Sequence, residues 1–247
     1  MSDLSQDEFL GGRLRIAQPL RGYRSGADAV MLAAACGAWP GHRVLELGCG
    51  AGVASLCLGF RVPGLHLTGL ELQPDYAALA QENAAQNGID LRVVQGDLAA
   101  MPATLRAESF DHVIANPPYF TSSTAAPDPG RNIARHEDTS LAGWMDAALR
   151  RLRPGGALTL IQRADRLDGV LAALVGRAGA VVILPVTARA GREAGRIILT
   201  ARKGARTPLR LLSPFVMHQE VAHLRDGEDL SPAAAAVLRE GQPINLK

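Results

Sequence analysis

The feature that most constrains this chain is a regular alternation of short apolar segments with helical patterns. Five apolar segments lie at residues 43–47, 65–71, 91–95, 110–115 and 157–161. Helical patterns lie between them at residues 52–60, 74–87 and 139–152. This alternation predicts βαβ units and therefore an α/β fold, with a mostly parallel sheet, helices on both faces and ligands at the carboxyl ends of the strands.

Further elements are predicted at both ends of this pattern. Residues 180–187 and 195–203 read as two strands joined by a basic loop that contains glycine, and they predict an antiparallel pair at the sheet edge. Residues 8–19 predict a small hairpin with two glycines at its turn, followed by an alanine-rich helix from about Ala27.

Composition excludes several classes of protein. A chain of 247 residues with 47% hydrophobic and 20% charged residues has the make-up of a soluble globular protein. Its three cysteines are too few for a disulfide framework and favour a reducing compartment. The first ten residues carry acids but no lysine or arginine, unlike a secretion signal, and no uncharged stretch approaches the ~18 apolar residues that span a bilayer. We therefore expect a cytoplasmic protein with no membrane partner.

The excess positive charge is concentrated in one segment. The formal net charge is +2, but residues 189–210 hold seven cationic residues and one acid. The segment is consistent with contact to phosphates if the partner is a nucleic acid. It is equally consistent with the solvated face of a strand in a chain rich in arginine.

A glycine-rich loop follows the first predicted strand. Residues 44–52 read VLELGCGAG, so a strand runs into Gly48, Gly50 and Gly52 and then into a helix. Such glycines let the backbone turn tightly and approach a ligand at a helix N-terminus. A dinucleotide fingerprint would place its third glycine where Val53 stands, and the loop therefore favours a different nucleoside ligand.

Acidic residues end the next two predicted strands. Glu71 ends the second strand, where a carboxylate can accept hydrogen bonds from both ribose hydroxyls. Asp97 ends the third strand, within reach of an adenine edge. The alternative for either acid is that it only caps a turn.

Together with the motif from Glu46 to Gly52, these acids resemble the class I S-adenosylmethionine-dependent methyltransferases over roughly residues 43–162. The resemblance implies a Rossmann-like α/β fold with a mostly parallel seven-stranded sheet and an antiparallel edge strand. It also implies that S-adenosylmethionine is the cofactor. Glu71 would then bind the ribose, Asp97 the adenine amine, and Glu46 with the glycine loop the methionyl part.

The fourth predicted strand ends in the tetrapeptide Asn116-Pro117-Pro118-Tyr119. The two prolines lack N–H groups and fix φ, so the chain leaves the sheet there with its carbonyl groups held rigidly. We predict that the Asn116 side-chain oxygen and the Pro117 carbonyl accept the hydrogens of a planar amine and direct its lone pair toward a methyl donor, while Tyr119 stacks on the ring. The alternative is an ordinary turn after a strand. Methyltransferases that act on adenine N6, guanine N2 or the glutamine amide carry a similar motif.

The residues before the glycine loop are more specific than the core. Residues 18–33 read QPLRGYRSGADAVMLA and resemble the family of bacterial tRNA(Val) adenine-N6 methyltransferases. The resemblance implies that Ser25 and Asp28 line the cofactor pocket; the alternative is that they are N-cap residues of the next helix. It also implies N6-methylation of adenine at position 37 in the anticodon loop of valine tRNA, a single-stranded base that is easily splayed out and read by its edge.

We therefore expect three parts. Residues 1–40 form an N-terminal extension, a hairpin and a helix, that caps the cofactor site. Residues 41–205 form the methyltransferase catalytic domain, and residues 206–247 form a C-terminal tail to which the sequence assigns no role.

Three other functions are consistent with parts of this pattern. The first is the same chemistry on a protein glutamine amide or on guanine N2 of ribosomal RNA; glutamine methyltransferases with a similar core usually carry a helical substrate domain, for which the front segment is too short. The second is a nicotinamide-dependent oxidoreductase, against which Val53 and the Asn116-Pro117 turn both argue. The third is an RNA-binding module without catalysis.

No metal site is expected. Residues 135–138 read RHED, but this spacing matches no established site. The segment precedes a predicted helix, which Asp138 or Thr139 is expected to cap.

Overall fold

The computed structural model describes residues 3–118, 139–219 and 229–246. Within these ranges the strands are β1 Leu4–Phe9, β2 Leu14–Pro19, β3 Arg43–Leu47, β4 His66–Glu71, β5 Leu91–Gln95, β6 Phe110–Ala115, β7 Leu152–Arg163, β8 Ala178–Thr187, β9 Ala194–Lys203, β10 Arg210–Leu211 and β11 Phe215–Val216. The α-helices are α1 Ala27–Ala35, α2 Val53–Arg61, α3 Pro74–Gln86, α4 Ala103–Arg106, α5 Leu141–Arg151, α6 Leu167–Leu174 and α7 Pro232–Glu240. None of these helices combines the length and the apolar character that crossing a membrane requires. Every predicted strand and helix is present, with ends that differ by a few residues.

The main sheet has the strand order β10-β8-β9-β7-β6-β3-β4-β5, and β11 also pairs with β8. Pairing is parallel among the strands from β3 to β7, whereas β9 runs antiparallel to both β7 and β8. This confirms the predicted α/β fold with its antiparallel pair near the edge. The antiparallel strand β9 itself lies one place inside β8. The short strands β10 and β11, which were not expected from the sequence, also pair with β8, so this sheet has nine strands within the described residues instead of the predicted seven.

The central strands are buried on both faces, as expected for a parallel sheet covered by helices. Neighbouring residues of one strand pack into different cores. Val44 and Ile114 belong to a core that includes α1 and α2, whereas Leu45 and Val113 belong to a core that includes α5 and α6. Because side chains alternate across a strand, the two cores lie on opposite faces of the sheet. Because the cores cover the two faces of the sheet, a site can form in the loops at the carboxyl edge, which follow β3, β4, β5 and β6.

The N-terminal hairpin and the C-terminal tail both pack on the core. The side chain of Asn83 in α3 accepts a hydrogen bond from the Ala17 N–H (2.8 Å) and donates one to the Ala17 carbonyl (3.0 Å), so this buried amide anchors β2. In the tail, the Ile244 N–H donates to the Ala34 carbonyl at the end of α1 (2.9 Å). Val237 of α7 is buried in the core that contains α1.

Candidate active site

Four strand ends bring the predicted site residues to one edge of the sheet. The glycine loop follows β3, Glu71 is the last residue of β4, Asp97 follows β5, and Asn116 follows β6 directly. These four strands are parallel neighbours in the order β6-β3-β4-β5. Their carboxyl ends therefore lie side by side, where ligands of open α/β sheets bind.

The glycine loop adopts a backbone conformation that other residues rarely adopt. The φ angle is 64° at Gly48, 53° at Gly50 and 88° at Gly52, all in the left-handed region. A Cβ atom at Gly48 would lie 2.6 Å from the Trp144 ring of α5, so a side chain there would collide with it. Gly52 is the N-cap of α2, and the loop therefore leads directly into a helix N-terminus.

Glu46 is a buried carboxyl group at the end of β3. Its Oε2 atom accepts hydrogen bonds from the Ser55 N–H (2.9 Å) and from the Ser55 hydroxyl (2.5 Å). Burial raises the pKa of Glu46 to about 8, and the Ser55 hydrogen bonds oppose that rise. Glu46 thus ties β3 to the first turn of α2, while its contact with a cofactor stays a prediction.

Glu71 connects β4 to the glycine loop. Its Oε2 atom accepts a hydrogen bond from the Gly50 N–H (2.8 Å), and Oε1 accepts one from the Gln73 N–H (2.9 Å). Burial raises the pKa of this carboxyl group, although the N–H donors lower it. A carboxylate oxygen can accept more than one hydrogen bond, so Glu71 can bind the loop and a ligand together.

A pocket of about 420 Å³ opens beside the loop, a volume within the ~300–1,000 Å³ range of ligand sites. The residues that line it include Gly48, Leu72, Asp97, Leu98 and Gly143. Asp97 accepts a hydrogen bond from the Ala99 N–H (2.8 Å), which holds its carboxylate at the pocket wall. The structure therefore brings two predicted cofactor residues, Gly48 and Asp97, into one cavity.

Tyr23 also belongs to this site, although no separate sequence signal identifies it. Its ring would lie 3.8 Å from a Cβ atom at Gly50, and its carbonyl accepts a hydrogen bond from the Tyr76 hydroxyl (2.8 Å). The Asn116 side-chain NH2 donates to the Tyr23 hydroxyl at 3.4 Å. Burial of this hydroxyl raises its pKa, and nearby carboxylates, Glu46 among them, raise it further. The hydroxyl is therefore neutral beside Asn116.

Ser25 and Asp28 lie next to Tyr23, where a Ser25 hydrogen bond and the Asp28 charge both act on its hydroxyl. Gly26 is the N-cap of α1, and no side chain makes a capping hydrogen bond there. The capping interpretation of Ser25 and Asp28 is therefore wrong. Asp28 instead accepts a hydrogen bond from the Arg196 guanidinium (3.0 Å), and the contact of both residues with a cofactor stays a prediction.

The Pro117 carbonyl has a side-chain partner that the sequence analysis missed. Gln162 donates from Nε2 to this carbonyl (3.3 Å), and its Oε1 accepts a hydrogen bond from the Arg163 N–H (2.8 Å). The only signal in the sequence is a polar residue within an apolar strand. Tyr119, the predicted stacking residue, lies outside the described residues.

The basic segment 189–210 does not form one surface. Because β9 is antiparallel to β7, Arg196 pairs with Arg163 at the carboxyl end of β7, whereas Arg202 lies near the opposite edge of the sheet. Only the first part of the segment therefore shares the edge at which Asn116 lies.

The RHED segment, residues 135–138, lies outside the described residues. The N-cap of α5 is Ser140, whose hydroxyl accepts a hydrogen bond from the Gly143 N–H (3.2 Å), so capping by Asp138 or Thr139 is a wrong prediction. Within the three described ranges, no group of three His, Cys, Asp or Glu side chains is placed to hold a metal ion.

Comparison with curated proteins supports the resemblance found in the sequence. The tRNA1(Val) (adenine(37)-N6)-methyltransferase of Porphyromonas gingivalis is 36% identical over 65% of this chain and 67% of its own length. The protein of the same name from Aeromonas hydrophila is 32% identical over 72% of this chain and 76% of its own length.

Solved structures share the fold. The crystal structure of a predicted O-methyltransferase from Agrobacterium tumefaciens superposes with a TM-score of 0.70 at 25% identity, covering 88% of this chain and 98% of that chain. A methyltransferase from Pyrococcus furiosus superposes with a TM-score of 0.58 at 18% identity, covering 78% and 90%, and shows the fold alone. Residues 28–182, more than half of the chain, match the model of the methyltransferase small domain. The chain therefore belongs to the methyltransferase small domain family and is a methyltransferase.

Proposed function

We propose that this enzyme transfers a methyl group from S-adenosylmethionine to N6 of adenine 37 in the anticodon loop of valine tRNA. The observation that carries the proposal is the turn at Asn116 and Pro117, which presents an amide and a carbonyl at the sheet edge that also holds the glycine loop and the pocket. The relatives from P. gingivalis and A. hydrophila are named for this reaction and support the choice of substrate.

The residues at this edge fit S-adenosylmethionine. We infer that Glu71 accepts hydrogen bonds from both ribose hydroxyls and that Asp97 accepts one from the adenine amine. The apolar side chains of Leu72 and Leu98 line the same pocket and suit the faces of the adenine ring. The loop from Gly48 to Gly52 lets the methionyl part approach the start of α2. When bound, the cofactor supplies a methyl group on a positively charged sulfur.

The methionyl ammonium group calls for negative charge beside the glycine loop. Asp28, Glu46 and Glu71 all act on the Tyr23 hydroxyl, so carboxyl groups surround that point. We assign the ammonium group to Asp28, with the Ser25 hydroxyl beside it, and to Glu46, whose raised pKa the positive charge of the bound ammonium group would lower, so that this carboxyl group ionises. The N-terminal extension, residues 1–40, would then close this side of the site, in front of the catalytic domain, residues 41–205.

The contribution of the chain to methyl transfer is to hold the amine. An exocyclic amine conjugated to a ring is a poor nucleophile because its lone pair is delocalised. The Asn116 side-chain oxygen and the Pro117 carbonyl accept its two hydrogens and align the lone pair with the methyl carbon. The N–C bond would form as the S–C bond of the bound cofactor breaks, and the surplus amine proton would then pass to water. Alignment and charge placement supply most of the acceleration, so no dedicated base is required, and Tyr119 keeps its predicted stacking role.

Two acceptors favour an amine over a hydroxyl as the target. An NH2 group can donate one hydrogen to each of these two oxygens, whereas a hydroxyl has one hydrogen and can donate to only one of them. This argues for N-methylation, although one structural relative is described as a predicted O-methyltransferase.

The RNA backbone is inferred to contact the cationic part of the same edge. Arg192 is exposed in the loop before β9, four residues before Arg196, which pairs with Arg163 of β7. Affinity for tRNA should fall as salt rises, and Arg192→Gln should reduce the slope of log affinity against log salt by about one. Arg202→Gln, at the opposite edge, is the matched control and should leave the slope unchanged. An affinity for tRNA that does not change with salt concentration would rule out contact between these residues and phosphates.

The substrate is tested with labelled S-adenosylmethionine. The enzyme is incubated separately with total tRNA, ribosomal RNA and protein extract, and each product is digested and identified. We expect labelled N6-methyladenosine at position 37 of valine tRNA and none with the Asn116→Ala variant. Label in a protein glutamine or in ribosomal guanine alone would replace the tRNA substrate by that alternative. Binding of a nicotinamide dinucleotide in preference to S-adenosylmethionine, measured by calorimetry, would favour the oxidoreductase.

A further inference from the structure

Gln162 is a buried polar residue beside the proposed amine site. It is the penultimate residue of β7, and its side chain is 2% exposed. Its Nε2 atom donates to the carbonyl of Pro117, which lies 45 residues earlier in the chain (3.3 Å). This hydrogen bond therefore connects β7 to the turn that follows β6.

The orientation of the Gln162 amide follows from the backbone. Its Oε1 atom accepts a hydrogen bond from the Arg163 N–H at 2.8 Å. A backbone N–H only donates, so the oxygen of the amide faces Arg163 and the NH2 group faces Pro117. The reversed amide would set two acceptors against each other at Pro117 and two donors against each other at Arg163.

The two prolines of the turn fix φ but cannot hold this carbonyl by donating a hydrogen bond. Pro117 and Pro118 have no N–H group, so neither residue can donate a backbone hydrogen bond that would brace the turn. A side-chain donor from the adjacent strand supplies such a brace. A carbonyl oxygen has two lone pairs, and one of them can bind Gln162 while the other binds a ligand.

We infer that Gln162 is a positioning residue for methyl transfer, which holds one lone pair of the Pro117 carbonyl so that the other is aimed at the target amine. The inference rests on the proposed role of the Asn116-Pro117 turn. Because Gln162 sets only the direction of the Pro117 carbonyl oxygen, its effect is confined to the step in which the target amine reacts.

Gln162→Met tests this role, because methionine has a similar length and cannot donate to Pro117. We expect kcat to fall by about tenfold or more, with KM and the dissociation constant of S-adenosylmethionine within about twofold of the wild type. The matched control is Thr159→Val, at a residue of β7 that is 1% exposed and is paired with Ile114 of β6, before the turn begins, and with Thr200 of β9. Unchanged kcat in Gln162→Met, or equal losses of kcat in both variants, would overturn the inference. So would a loss of cofactor affinity as large as the loss of kcat.

Gln162→Glu adds a readout that a merely structural role does not change. One carboxyl oxygen can still accept from the Arg163 N–H, but the other donates to Pro117 only when the group is protonated. We expect the kcat of this variant, relative to the wild type, to fall as pH rises through the pKa of the new carboxyl group. A ratio of kcat values that is independent of pH would contradict the inference.

These tests are separable from the test of the substrate. Adenine N6, guanine N2 and the glutamine amide are all planar NH2 groups, and kcat is measured on whichever of them the labelling experiment identifies. If the labelling experiment identifies a substrate other than tRNA, the effect of Gln162→Met on kcat can therefore still be measured. Conversely, wild-type kcat in Gln162→Met would remove the positioning role while N6-methylation of tRNA stands.

Discussion

Replacing Gly48 by alanine should destabilise the protein through two separate effects. The first is backbone strain, because φ is 64° there, in the left-handed region, which costs other residues ~1–2 kcal/mol. The second is a collision, because the new Cβ atom would lie 2.6 Å from the ring of Trp144, which is 3% exposed and has little room to move. Overpacking of this kind costs ~1–3 kcal/mol, so we expect a total loss of ~2–5 kcal/mol from the free energy of unfolding.

The control for this prediction is Gly41→Ala. Gly41 also has a left-handed φ, 85°, but apart from its two chain neighbours no atom of the described residues lies within 4 Å of its Cβ position, so only the strain of ~1–2 kcal/mol is expected. Both variants are unfolded in urea and followed by circular dichroism, and the difference between them measures the collision. Trp144→Phe should recover part of the loss in the Gly48→Ala protein, because the shorter ring withdraws from the contact. Equal losses in the two glycine variants would refute the close approach of Gly48 and Trp144.

Three further predictions concern the chemistry of the site. Asn116→Ala should abolish transfer while the affinity for S-adenosylmethionine, measured by calorimetry, stays within about twofold of the wild type; equal loss of both would move Asn116 from catalysis to folding. Tyr23→Phe removes the hydroxyl that accepts from the Asn116 NH2 group and should lower the single-turnover rate about tenfold with little change in stability; an unchanged rate would show that this contact does not orient Asn116. Glu46 has its pKa raised from 4.5 to about 8, so the folded protein binds the proton more tightly and loses stability as pH rises between those values. Urea midpoints should therefore fall from pH 5 to pH 8 in the wild type and much less in Glu46→Gln, and equal slopes would count against the raised pKa.

The position of the site could be predicted from the sequence because it follows from local patterns. Each apolar segment between glycines, acids and prolines is a strand, and in a parallel sheet all such strands end at one edge. Glu71, Asp97 and Asn116 could thus be placed together without knowledge of their contacts.

Tyr23 and Gln162 show why the rest of the site could not be predicted. Tyr23 contacts Asn116 across 93 residues of sequence, and Gln162 contacts Pro117 across 45. No periodicity or motif reports such a contact, because it depends on how two elements pack. The sequence around Ser25 and Asp28 could not decide between a cofactor contact and a helix cap for the same reason. The structure shows that Gly26 is the N-cap residue of α1.

The C-terminal tail contains a signal that sequence reasoning could have used. Ser231 accepts a hydrogen bond from the Ala234 N–H (3.0 Å), Pro232 is the first residue of α7, and Gly241 follows the helix with a φ of 72°. Serine before proline and glycine after the last turn are typical helix boundaries. The helix was therefore predictable, whereas its packing beside α1 was not.

The basic segment shows that a cluster of charges in the sequence need not form a single charged surface, because the direction of the strand decides at which edge of the sheet each residue lies. Arg196 and Arg202 lie six residues apart in β9, a span of ~20 Å at ~3.3 Å per residue, and the antiparallel direction of β9 places Arg196, not Arg202, at the carboxyl edge of the parallel strands. At the carboxyl edge, Arg196 and Arg163 are cross-strand partners, an arrangement of like charges that is unfavourable alone. Asp28 pairs with Arg196, and Asp165 with Arg163, so each cation already has a counter-charge. A phosphate at this edge would therefore add to existing ion pairs, and the salt dependence of tRNA binding should be governed by the exposed Arg192 more than by this pair.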